Sequence, residues 1–136
     1  MCATAWTAEY SAEAVVIKSQ KECLGDLVVR RRIPLTPGWW LKAEQLISDV
    51  RFADLPERIR QTPGRDGTIT IITDDPFLSI ETRGAQRHEV RGTTMDLRLS
   101  GEGRRFAKLW NYLVAAVPDL AKTEALDDWN GAAASR

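Results

Sequence analysis

Phe106, Leu109, Trp110, Leu113, Val114 and Val117 recur at i, i+3, i+4, i+7, i+8 and i+11. At 3.6 residues per turn these large apolar side chains fall on one stripe of an α-helix. A stripe that wide is driven out of water, so the rest of the chain must supply an apolar surface to receive it. Pro118 cannot continue the helix and ends it.

The upstream residues predict strands as that surface. Val15, Val16 and Ile17 mark a strand over Glu13–Ser19, and Gly25-Asp26 a turn. Leu27, Val29, Arg31 and Ile33 then alternate with Asp26, Val28, Arg30 and Arg32, the period of a half-buried strand. Pro34 and Pro37-Gly38 end it. A third strand is predicted from Trp39, with Leu41 and Ala43 on its face and Trp40, Lys42 and Glu44 on the other; Leu46, Ile47 and Val50 also suit a helical face. Asp54-Leu55-Pro56-Glu57 has the form of a capping box with proline in the first turn, which predicts a short helix to about Gln61. Thr68–Thr73 is β-branched throughout, Asp74-Asp75-Pro76 makes a turn, and Phe77–Thr82 returns as the second arm of a hairpin. Arg87–Leu99 reads as a longer strand whose apolar parity switches between Val90 and Met95, which a bulge at Gly92 reconciles.

This order predicts an α+β fold: a mainly antiparallel sheet of about six strands, one short helix, and the C-terminal amphipathic helix packed on one face. At 136 residues the chain is read as a single domain, with 1–12 and 120–136 as loosely attached ends.

Charge narrows the function. Nineteen basic residues balance nineteen acidic ones, so the chain lacks the overall field that draws proteins to nucleic acid or anionic lipid. Cys2 and Cys23 form no disulfide framework and have no Cys or His at metal spacing. No apolar run reaches a membrane span, and Glu9 and Glu13 interrupt the N-terminal apolar residues before the first base, Lys18. A cytoplasmic protein without metal or cofactor is expected.

Candidate chemistry is sparse. His88 is the sole histidine, and an acid–base role needs a second positioned group. A site assembled from His88, Glu81 and Arg91 across neighbouring strands would make the chain a small enzyme or ligand-binding domain. Asp74-Asp75 and Asp127-Asp128 are adjacent pairs, which point apart on a strand and form no dyad. Ser100-Gly101-Glu102-Gly103 lacks phosphate-loop spacing and reads as a strand-to-helix turn. Arg30-Arg31-Arg32 is the one dense basic run; it offers phosphate contacts, although Asp26 flanks it and aromatic residues do not interleave. Edge protection of a strand accounts for it equally. Trp39 and Trp40 face opposite sides if extended, which either leaves one exposed beside Arg30 and Arg32, a pairing typical of protein-binding surfaces, or has both covered by the N-terminal segment or the tail.

Gly38-Trp39-Trp40-Leu41, Leu55, Ile59, Ile69, Ile71, Pro76-Phe77-Leu78, Met95-Asp96-Leu97 and the segment from Phe106 to Leu113 together form a pattern. From Val15 to Asp119 it resembles the small immunity proteins of bacterial polymorphic-toxin systems, especially those of wall-associated toxin loci. The resemblance implies a non-enzymatic cytoplasmic antidote that blocks a cognate toxin by direct contact. It carries over no contact residue, because each antidote's surface is its own. The balanced charge departs from the acidic bias of many antidotes to nuclease toxins and leaves the toxin's type open. Oligomeric state is not written in the sequence.

Overall fold

The computed structural model describes residues 4–21, 27–67, 69, 77–84, 86–122 and 124–126. Cys2, Cys23, Gly25-Asp26, the β-branched run apart from Ile69, the Asp74–Pro76 turn, Asp127-Asp128 and Trp129 lie outside the described residues. The chain forms two compact units, Met1–Glu44 and Gln45–Arg136. The fold is α+β, but among the described residues the single sheet of about six strands is replaced by two small ones, of three strands and of two.

In the first unit β1 (Thr4–Tyr10), β2 (Ala14–Lys21) and β3 (Leu27–Pro34) form an antiparallel meander in the order β1-β2-β3. Tyr10 pairs with Val15 and Val15 with Ile33, while Ile17 lies between Ala8 and Arg31. Ser11 closes the first turn: its Oγ donates to the Ala14 carbonyl at 3.1 Å and accepts from the Ala14 amide at 3.3 Å. Ala14, Val15 and Ile17 are buried.

The strand expected from Trp39 is instead helix α1 (Pro37–Asp49). Thr36 supplies the cap, its Oγ1 accepting from the Trp39 amide at 3.1 Å, and Pro37 takes the first helical position, where a missing N–H leaves nothing unpaired. These signals outweigh an alternation only three residues deep per face. The boundary between the units falls within α1, after Glu44.

In the second unit α1 ends through Arg51, which takes the left-handed conformation with φ 51° and ψ 53°. The guanidinium of Arg105 closes this end: Nε donates to the Val50 carbonyl at 2.7 Å and Nη2 to that of Arg51 at 2.8 Å. The helix expected after Asp54 is not formed. A single 3₁₀ turn, Phe52–Asp54, stops at Leu55, which is extended at ψ 143° as a residue before proline prefers. The next residues then bond to another strand rather than to themselves. The Arg91 amide donates to the Glu57 carbonyl and the Ile59 amide to the Arg91 carbonyl, both at 2.9 Å, which makes Arg58↔Arg91 a parallel bridge.

That strand is β5 (Arg87–Thr93), paired antiparallel with β4 (Phe77–Arg83). No bulge occurs at Gly92; the register runs unbroken from Phe77↔Thr93 to Arg83↔Arg87. The parity switch has another cause, since Met95–Leu99 is not strand. Thr93 caps helix α2 (Thr94–Arg98) by accepting from the Asp96 amide at 3.1 Å. Gly92 is where α2 comes closest: a β-carbon there would lie 3.0 Å from Leu97 Cδ2 and 3.2 Å from the Ile59 carbonyl oxygen.

Ser100 then caps the closing helix α3 (Gly101–Ala115), so Gly101–Gly103 is its first turn and not a linker. A β-carbon on Gly103 would fall 1.9 Å from the Leu97 carbonyl oxygen, which only glycine permits. Val117 and Pro118 restart the chain as α4 (Pro118–Ala121). Phe106, Leu109, Val114 and Val117 of the stripe are buried. Phe106 and Leu109 join Val50, Phe52, Leu55, Ile59, Ile80, Val90, Leu97 and Leu126 in one apolar cluster, with Trp110 and Leu113 packed beside it.

Candidate protein-contact face

The β4–β5 hairpin has two unlike faces, as strand alternation requires. Ile80, Val90 and Gly92 are buried on one. The other carries Phe77, Ser79, Glu81 and Arg83 opposite Thr93, Arg91, Glu89 and Arg87. Seven of these eight are polar, and the apolar exception is exposed: Phe77 shows 54% of its surface to solvent.

Two cations frame its ring. The Arg58 guanidinium carbon sits 4.4 Å from the ring centroid and that of Arg91 lies 5.9 Å away. The bridge between Glu57–Ile59 and β5 brings Arg58 to this face, where it also meets Asp96 at 3.4 Å. Asp96 accepts from Gln61 Nε2 at 3.1 Å as well, so the cation is held by α2 on one side and by the ring on the other. Arg58 Nε is buried without a hydrogen-bond partner.

Beside the ring, Glu57, Glu81, Arg87, Glu89 and Arg91 line a shallow depression of about 330 Å³. Glu81 bonds to Arg83 Nε at 2.5 Å and to Arg87 at 2.9 Å. The hydrogen bond from Arg83, and next that from Arg87, hold its carboxyl below the usual carboxylate range. At neutral pH Glu81 is therefore a fixed anion and not a proton donor.

The trio His88, Glu81 and Arg91 is divided between the two faces. Glu81 and Arg91 share the depression, but His88 points inward, its Nε2 3.0 Å from the Leu55 carbonyl oxygen. Its ring meets that of Phe52 edge-on at 5.4 Å. Trp39 and Trp40 are neighbours in the first turn of α1, their ring centroids 6.4 Å apart, and not on opposite sides of a strand. Trp39 lies flat on Tyr10 at 5.5 Å and both tryptophans are half-buried. Arg32 is exposed on β3 and meets Glu13 at 3.6 Å; the backbone of Arg30 lies in the same strand, and its side chain is outside what the structure describes.

Sequence reasoning did not single out Phe77 as a contact residue, although its parity with Ser79, Glu81 and Arg83 placed it on the polar face. It also passed over a cationic groove of about 350 Å³ between α2 and α3, walled by Arg98, Arg104, Arg105 and Lys108 over Leu97 and Leu126. Among the described residues no helix is long and apolar enough to cross a membrane. Comparison with protein-family models, with curated proteins and with solved structures finds no match to the chain.

Proposed function

We propose that this chain is a non-enzymatic protein-binding module and that the outer face of the β4–β5 hairpin is its contact surface. Phe77, exposed between Arg58 and Arg91, is the observation that carries the reading. An aromatic ring with two guanidinium groups beside it, inside a polar rim, has the composition of an interface centre. Arg58 is already held by Asp96, which lowers the ordering cost of binding. The immunity-protein resemblance makes a co-encoded toxin, met in the cytoplasm, the first partner to try. The product of the neighbouring gene is titrated calorimetrically into the wild type and into Phe77→Ala. A loss of about 30-fold in affinity is expected, the mark of a residue contributing about 2 kcal/mol. Unchanged binding by Phe77→Ala would overturn the assignment of this face. A small-ligand site is the second reading, favoured by Glu81 and Arg91 sharing one depression; Arg91→Ala separates the two, since it abolishes small-ligand binding while only weakening a protein contact centred on the ring.

A further inference from the structure

The edge of β3 carries an inference beyond that face, in the other unit. The order β1-β2-β3 leaves β3 with a strand on one side only among the described residues. Its hydrogen-bond phase follows from two observations. The Leu35 amide donates to the Glu13 carbonyl at 2.7 Å, one residue past the Ala14↔Pro34 pair. Pro34 has no N–H to give, so its pair is of the type that exchanges no bonds. Alternation from these anchors turns the N–H and C=O groups of Arg31 and Ile33 toward β2. Those of Arg30 and Arg32 turn the other way, together with the Pro34 carbonyl.

The open edge thus presents a strand's donors and acceptors at Arg30 and Arg32, and an arginine run occupies the same stretch. Arg31 and Arg32 are exposed and lie on opposite faces of the sheet. An incoming strand therefore meets cationic side chains above and below it. A second copy of β3 would set its own arginine run against Arg31 and Arg32, which repels self-pairing. An acidic strand reverses the sign of that interaction at every position. The Arg32–Glu13 pair offers little competition, at 3.6 Å with side chains 66% and 84% exposed.

We infer that the β3 edge binds an acidic, extended segment of another protein by strand addition, with main-chain hydrogen bonds to Arg30 and Arg32 and carboxylates set against the arginine side chains. The test uses the full chain and a fluorescein-labelled ten-residue peptide of alternating Val and Glu. Two control peptides replace Glu by Lys or carry N-methyl groups on alternate amides. The acidic peptide is expected to bind. The lysine and N-methylated forms should each lose at least about tenfold, and Arg31→Gln/Arg32→Gln should lose a similar factor. Amide exchange gives the decisive reading, because the Arg30 and Arg32 amides should gain protection on binding while those of Arg31 and Ile33 are already slow in the free protein. Absence of binding overturns the inference. So does binding that N-methylation leaves intact or that protects neither outward amide, since that is surface attraction without a strand.

Discussion

Strand ladders organise Met1–Glu44, whereas Gln45–Arg136 is organised round an apolar cluster. In the first unit the pairing is between sequence neighbours, and the buried apolar residues among those described, Ala14, Val15, Ile17 and Ala43, are small or medium in size. In the second, Phe52, Leu55, Ile59, Phe106 and Leu109 come together from distant positions. Side chains there also reach across the chain to bond backbone. Asn111 exchanges two hydrogen bonds with Leu126, at 2.9 and 2.6 Å, and Trp110 donates to the Glu124 carbonyl at 2.6 Å. The difference teaches where damage should spread. A ladder is lost bond by bond from its ends, while a cluster fails as a whole.

The largest test of that contrast is Phe106→Ala. Removing a wholly buried ring is expected to cost about 3–5 kcal/mol, measured by urea denaturation. Amide exchange should show β4, β5 and α3 losing more protection than β1–β3; equal losses would mean that the two units unfold as one. Gly103→Ala comes next. In an ordinary helix alanine gains about 1 kcal/mol over glycine. Here the added carbon meets the Leu97 carbonyl, so the net change is a loss of about 1–3 kcal/mol, and a raised Tm would contradict the packing of α2 on α3. Thr36→Ala removes the cap of α1 and should lower stability by about 1 kcal/mol, with Thr36→Ser retaining most of it.

The smallest effects are pH-dependent and opposite in sign. The Glu81 carboxyl is lowered from its ordinary 4.5 in the folded state. Its contribution is present above the unfolded value and lost as pH falls through the folded one. Burial raises the Tyr10 phenol from its ordinary 10.0, so that contribution is present below 10.0 and lost as pH rises past it. Acid should thus loosen the β4–β5 hairpin and alkali β1. Glu81→Gln should flatten the acid limb of a Tm-against-pH profile, and Tyr10→Phe the alkaline limb. Tyr112 on α3 is raised too, from a more open position, so Tyr112→Phe serves as the control.

Elements with deep periodicity were legible. The stripe on α3 spans several turns, the alternation from Leu27 to Ile33 runs the length of β3, and the apolar run Val15-Val16-Ile17 marked β2. Shorter patterns misled where capping chemistry contradicted them. Thr36-Pro37 and Thr93 each start a helix through one hydroxyl, and that hydroxyl outweighs three or four alternating residues after it. At Asp54 the opposite happened. The capping box was present, but β5 took the backbone groups of Glu57 and Ile59, a partner that no local pattern reveals. The order Trp6, Ala8, Tyr10 against Thr7 and Glu9 does alternate, so β1 was readable within the segment treated as an end. His88 shares its parity with the buried Val90, which already placed it inward and away from Glu81. The pairing of Arg58 with Phe77 was beyond reach, because it depends on that same non-local bridge.

The Arg105 clamp has a consequence for the order of events at the ribosome. Val50 emerges 55 residues ahead of the guanidinium that receives its carbonyl. For that interval the left-handed turn at Arg51 has no clamp, and a nascent chain stalled before Arg105 should carry a frayed α1. Synthesis of α3 is therefore also the step that finishes a helix made long before it.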